Sequence, residues 1–219
     1  MSSRKTINWS KLILELIVVF LGVTAGFILN NLRDNQEDKR TARKYIEGLK
    51  DDVNANIMEL GNAIKADSIW LSRSGYAIRQ MMNGDIEADS ADALVMNMVW
   101  FSEFGPRTTT YDDMINSGNL NLIKNYDLRQ SIVSYHKKVM EMQVLDDYFK
   151  VYFNGIFTPY IMKELDMLNQ KLADRQEYRS MEFRNLFTAY YSILQQRMKA
   201  YSDLLDESRE FYNSVSAEN

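Results

Sequence analysis

From Leu12 to Leu29 the chain reads LILELIVVFLGVTAGFIL, eighteen residues with one charge, thirteen of them Leu, Ile, Val or Phe. No polar face interrupts the run, which separates it from an amphipathic core helix. At about 1.5 Å per residue it is roughly 27 Å long, and the stretch from Trp9 to Asn30 is about 33 Å, against a bilayer core of about 30 Å. On the insertion scale thirteen such side chains favour the bilayer by about 4 to 8 kcal/mol, against about 3 kcal/mol at most for Glu15, one turn from the end. The pattern predicts a short basic tail over 1–11 and a transmembrane helix over 12–30, with Trp9 at the headgroup level. The competing reading is a cleaved signal peptide, because Arg4, Lys5 and Lys11 form a basic start and Val23-Thr24-Ala25 resembles a cleavage site. The apolar run passes that site and exceeds the usual length of about 7 to 15 residues.

Between Asn30 and Asp52 six basic and six acidic residues balance, which predicts a solvated helical stalk. Beyond it Ile46, Leu49, Val53, Ile57, Leu60, Ile64, Leu71, Ile78 and Met82 recur in steps of three and four. Their mean spacing is nearer 3.6 than 3.5, pointing to a long helix packed on a bundle rather than an extended coiled coil. Asn83-Gly84 ends it. A short helix is expected over 91–104 behind Asp89 or Ser90, stopped by Gly105-Pro106. Thr110 and Asp113 form a capping box for another short helix ended by Gly118. Asn125 caps a longer one with Leu128, Ile132, Tyr135, Val139, Met142, Leu145, Phe149 and Tyr152 on its buried face. Asn154-Gly155 closes that helix and Thr158-Pro159 opens the next. A last helix over 181–212 places Phe183, Phe187, Tyr190, Leu194, Met198, Tyr201 and Leu205 on one side. No alternating run is long enough for a strand. The fold class is therefore all-α: a transmembrane helix, a charged stalk and an antiparallel helical bundle, with residues 31–219 as the extramembrane domain.

Composition then narrows the chemistry. The chain has no Cys and one His, which removes thiolate nucleophiles and multi-His metal sites. Neither G-x-S-x-G nor G-x-x-x-x-G-K-[ST] occurs. The acidic pairs Asp51-Asp52, Asp112-Asp113 and Asp146-Asp147 lack a following Glu-x-x-His, so no di-metal site is indicated. No catalytic, cofactor-binding or metal-binding residue is expected. Setting aside Arg4, Lys5, Lys11 and Glu15, the remainder carries 23 basic against 29 acidic residues, a net charge of -6 that disfavours nucleic acid as a partner.

Three features invite binding. Glu15, Gly22 and Gly26 share one stripe of the span, and Gly22 and Gly26 form a G-x-x-x-G that lets two helix backbones approach; the alternative is a span in which Glu15 only snorkels. The corner at Thr110, Asp113, Ser117 and Gly118 makes a rigid edge for a protein partner, unless it is simple helix punctuation. The aromatic run from Tyr148 to Phe153, with Phe157 and Tyr160, puts half its side chains on the core face, leaving the rest for the last helix or a subunit contact. Separately, Arg129 and His136 lie seven apart on one helix and resemble the Arg-x4-6-His motif of HEPN-type ribonucleases, whose Arg and His act on an RNA backbone across a dimer. The other reading is a His on a solvated helix face.

The span with an early acidic residue, then Asn30-Asn31 and a charged helix, resembles an uncharacterised family of small bacterial single-pass membrane proteins carrying the domain of unknown function 6090. So does Thr109-Thr110-Tyr111-Asp112-Asp113-Met114-Ile115-Asn116-Ser117-Gly118-Asn119-Leu120-Asn121-Leu122-Ile123, followed by Asn125, Leu128 and Arg129. The resemblance covers roughly residues 10 to 140. The chain departs from it at Leu32, where a Trp is usual, and at His136, where the family tends to carry Tyr. It implies a membrane location, a helical domain and an unassigned function. The expected protein is a non-enzymatic scaffold, sensor or partner-binding module in contact with membrane lipid, a homo-oligomer in a bacterial inner (plasma) membrane. Arg33, Lys39, Arg40, Arg43 and Lys44 after the span, against Arg4, Lys5 and Lys11 before it, lean the large domain weakly towards the cytoplasm; the alternative is a periplasmic domain behind an uncleaved anchor. The alternatives are an oligomeric membrane effector or small channel ringed by Glu15, and a HEPN-like ribonuclease.

Overall fold

The computed structural model describes residues 9–84, 86–99 and 101–217. Most of the basic tail lies outside these residues, as does the side chain of Trp9. Helix α1 (Trp9–Asn83) is followed by α2 (Ala88–Met98), α3 (Thr109–Asn116), α4 (Tyr126–Tyr152), α5 (Thr158–Glu164) and α6 (Met181–Ser216). The strands β1 (Leu165–Asp166) and β2 (Lys171–Leu172) form a two-residue antiparallel ladder, so the fold is all-α.

The chain divides into two compact units, Met1–Glu47 and Gly48–Asn219. The first consists, in its described part, of the leading portion of α1. It contains an 18-residue window of mean hydropathy 2.2, none of it buried, and is long and apolar enough to cross a membrane. Ile13, Leu14, Leu16 to Leu21, Val23, Phe27, Ile28, Leu29 and Leu32 are all exposed. The charged stretch after the span is helical throughout.

In the second unit α1, α4 and α6 form a three-helix bundle. Counting only apolar side chains gives a period near 3.6, but the buried stripe contains polar members. Leu49, Val53, Asn56, Leu60, Ala63, Asp67, half-buried Trp70, Ser74, Ala77 and Met81 alternate steps of four and three. The same alternation runs through Leu128, Ile132, Tyr135, Val139, Met142, Asp146 and Phe149 of α4. It recurs through Phe183, Phe187, Tyr190, Leu194, Arg197, Tyr201, Leu204, Ser208, Phe211 and Val215 of α6. That is the heptad repeat of coiled-coil packing, about 3.5 residues per turn, and it corrects the spacing read from apolar residues alone. Ile57, Ile64 and Leu71 are half-buried and Met82 is exposed; Met198 is half-buried beside Arg197, which takes the interior place.

Local signals explain several boundaries. Gly84 and Gly118 adopt φ +78 and +73, left-handed values that end α1 and α3. Asn125 accepts hydrogen bonds from the amides of Asp127 and Leu128, and Ser180 from Phe183, capping α4 and α6. Helix α3 opens earlier than the expected capping box: Thr108 precedes it and Thr110 lies inside its first turn. Asn154-Gly155 does not close α4, which passes through a π-helical turn (Phe153–Phe157) into α5. The turn stacks Phe153 on Phe157 at 5.4 Å and Phe157 on Tyr190 at 4.7 Å, and burying these rings outweighs the weak helix propensity of one glycine, about 1 kcal/mol.

Candidate functional site: two buried polar layers and the segment they hold

Two polar layers cross the bundle. The first joins Asn56 of α1, Tyr135 of α4 and Ser208 of α6: the Asn56 amide donates to the Tyr135 hydroxyl at 3.3 Å, and that hydroxyl lies 3.3 Å from Ser208 Oγ. The second joins Asp67, Asp146 and Arg197, each eleven residues from its counterpart above. Eleven residues are three helical turns, roughly 17 Å, so one register serves all three helices. Numbers rise together along α1 and α4 and fall along α6: α6 is antiparallel to both, while α1 and α4 run parallel.

Arg197 is 1% exposed. Its Nη2 donates to Asp67 Oδ2 at 2.6 Å and to the Ser102 carbonyl, and its Nε faces Asp146 Oδ1 at 3.8 Å, too far for a hydrogen bond. The guanidinium lies against the rings of Phe149, Tyr201 and Phe101 at 4.7, 5.0 and 5.4 Å. Tyr201 donates to both Asp146 oxygens, at 2.8 and 3.0 Å. Burial raises the Asp146 carboxyl above its usual range, against the lowering effects of Tyr201 and Arg197, and burial likewise raises Tyr201.

These layers explain why α2 stops at Met98 and does not continue to 104. The segment after it is held by side chains of α1 and α6. The Ser102 amide donates to Asp67 Oδ1 at 3.2 Å, Gly105 to Glu59 at 2.9 Å, Arg107 to Asn56 Oδ1 at 2.7 Å and Thr110 to Asp52 at 2.9 Å. Phe104 donates to the Tyr201 hydroxyl at 3.1 Å, and Asn56 Nδ2 donates back to the Arg107 carbonyl at 3.1 Å. As the segment advances its acceptors step backwards along α1, so helix side chains replace the strand that an extended peptide would otherwise need. Pro106 has no amide to satisfy and disfavours helix at Gly105. The apolar pattern carries no trace of this. The legible signal is polar residues, Asn56 and Asp67, standing at heptad positions.

The segment delivers the chain to the expected partner edge. Thr110 is half-buried beside Gly48, where an added Cβ would stand 2.9 Å from Thr110 Oγ1 and 3.0 Å from its Cγ2. Asp113, Ser117 and Gly118 are exposed, and the Ser117 hydroxyl and amide both donate to the Asp113 carbonyl. The structure therefore brings these four residues into one corner, anchored on α1 by the Thr110 amide. Gly48→Ala should destabilise the chain by about 1 to 3 kcal/mol through overpacking, and Thr110→Ala introduced with it should recover most of that loss; urea unfolding of the three variants checks it.

Arg129 and His136 are engaged separately. Arg129 Nη1 donates to the Ile123 carbonyl at 2.5 Å and lies over Tyr126. His136 is buried, not solvated. Its ring stacks on Tyr111 at 3.8 Å, and Nδ1 lies 2.9 Å from the Ile132 carbonyl, which can only accept, so Nδ1 carries the proton. This packing joins α3 to α4, and the nuclease reading gains no support from it. Burial lowers the His136 pKa, opposed by the Ile132 bond and by Asp112 and Asp52. A lowered imidazole pKa means that the unfolded chain binds the proton first. Stability is full above about pH 6.5 and falls as pH drops below it. His136→Phe should show a smaller loss between pH 7.5 and 5.5 than the native chain, measured by denaturant unfolding.

In the span, Glu15 lies 4.0 Å from Lys11, both exposed, and nothing lies within 4 Å of a Cβ built on Gly22 or Gly26. Among the described residues no three acidic or histidine side chains converge as metal ligands. Of the aromatic run, Phe149 is buried, Phe153 stacks on Phe157, Tyr152 donates to the Leu186 carbonyl of α6 at 3.0 Å and Tyr148 is exposed. Comparison with models of protein families, with curated proteins and with solved structures finds no match.

Proposed function

We propose that the chain is a membrane-anchored helical scaffold or partner-binding module, without enzymatic activity, in a bacterial inner membrane. The observation that carries this reading is the stretch of α1 from Ile13 to Leu29: an exposed, nearly uncharged surface that no described residue covers and that only lipid or another apolar helix would solvate. The bundle supports a binding rather than a catalytic role. Asn56, Asp67, Tyr135, Asp146, Arg197, Tyr201 and Ser208 are spent on one another and on the 102–110 backbone, and buried polar groups of this kind fix register. The resemblance to the family of small single-pass proteins agrees with the location. The corner at Thr110, Asp113, Ser117 and Gly118 is the partner edge, and the stripe of Glu15, Gly22 and Gly26 is the contact between spans. Five basic residues after the span against three before it favour a cytoplasmic bundle, and a periplasmic one is the alternative.

The native chain contains no cysteine, so a Cys introduced at position 22 or 26 is the only thiol. Oxidation in native membranes should give a covalent dimer at these positions and none at the opposite face of the span. Monomer at both positions would remove the span contact. Conductance across planar bilayers tests the channel alternative: the scaffold reading expects none, and a current abolished by Glu15→Gln would favour the pore.

A further inference from the structure

Helix α4 is apolar on two faces. One lies in the bundle. On the other, Tyr126, Val133, Met140, Val144, Tyr148 and Val151 are exposed, Val144 and Val151 by 70% and 72%. Helix α6, longer by nine residues, exposes a large apolar side chain only at its first position, Met181, among the described residues. The α4 face repeats at helical spacing over about 38 Å, far longer than a chance exposed pair.

Charges bordering the stripe select its occupant. At about 100° per residue Tyr126, Val133, Met140, Val144 and Val151 fall within one narrow sector, Lys137 and Glu141 border one side, and Arg129 and Asp147 the other. Lys137, Glu141 and Asp147 are strongly exposed. Two antiparallel copies related by a two-fold axis bring like flanks together. Centred between Lys137 and Glu141, the pattern maps onto itself: Val133 meets the partner's Val144, Tyr126 meets the partner's Val151, Lys137 meets the partner's Glu141 and Arg129 meets the partner's Asp147. Within one chain Lys137 pairs with Glu141 at 3.8 Å and Asp147 with Lys150 at 3.7 Å, so the antiparallel pairing extends these ion pairs across the seam, whereas a parallel pairing sets each flank against the opposite one and gives Lys137 and Arg129 no acidic neighbour on the partner. We propose that the outer face of α4 is a self-complementary antiparallel interface for a second copy of this chain.

This pairing is separate from the contact between spans. Because α4 runs parallel to the adjoining part of α1, the two chains of such a pair enter their bundles from opposite ends.

The test uses the full chain in mild detergent. Chains carrying Val133→Cys and Val144→Cys, separately tagged and mixed, should form a disulfide between the two kinds in preference to either homodimer. Lys137→Glu should reduce that cross-linking about tenfold, and adding Glu141→Lys to the same chain should restore it. A Val133→Cys homodimer of equal yield, or no cross-link between the two kinds, overturns the interface; a contact between spans alone yields neither the cross-pair preference nor its charge dependence.

Discussion

Replacing Arg197 with Leu should cost about 3 to 5 kcal/mol of stability, because it leaves Asp67 and Asp146 as uncompensated acids inside the bundle. The loss should depend on pH. Burial already raises Asp146 in the native chain, and removing the guanidinium takes away one of the groups opposing that rise. A carboxyl whose folded pKa is raised contributes stability that is present below its unfolded value and lost as pH rises through the folded value. The deficit of Arg197→Leu should therefore be larger at pH 7.5 than at pH 5. Lysine keeps the charge but not the planar fork that reaches Asp67 and the Ser102 carbonyl while lying against three rings. Arg197→Lys should fall between the native chain and the Leu variant. Hydrogen exchange gives a local readout: the Ser102 and Phe104 amides, whose acceptors belong to this layer, should lose protection before the rest of the bundle. An equal deficit of Arg197→Leu relative to the native chain at both pH values would show that the two carboxylates are not charged partners of the arginine.

The periodicity of the chain made the helices legible and left their contents partly hidden. Gly84, Gly118, Asn125 and Ser180 are terminal signals that act within four residues, and each sits at the boundary its chemistry implies. Asn56, Asp67, Asp146, Arg197 and Ser208 are buried by partners on other helices. A count of apolar residues passes over them, and with them over the heptad spacing. The early end of α2 has the same origin, since the acceptors for residues 102–110 lie 35 to 58 residues away on α1 and, for Phe104, on Tyr201 of α6. Asn154-Gly155 reads as a stop until the rings of Phe153 and Phe157 are placed. His136, expected on a solvated face, is covered by Tyr111 of a helix only eight residues long. The corner at Thr110 to Gly118 was legible as a turn because Ser117-Gly118 is local chemistry. Its attachment to α1 through Gly48 and Asp52 was not.

The second large effect concerns the span. Thirteen Leu, Ile, Val and Phe side chains favour insertion by about 4 to 8 kcal/mol, whereas two arginines at the centre of the segment oppose it by about 5 to 7 kcal/mol. Val19→Arg with Phe20→Arg therefore cancels most of the driving force while altering only exposed residues outside the bundle unit. The double variant should leave the membrane fraction, with the unfolding midpoint of its bundle unchanged. The most direct test of the membrane-anchored account is extraction of membranes bearing the native chain with alkaline carbonate, which strips proteins held by charge and leaves those held by an inserted helix. The expected result is native chain in the pellet and the Val19→Arg, Phe20→Arg variant in the supernatant; native chain released by carbonate would contradict the account.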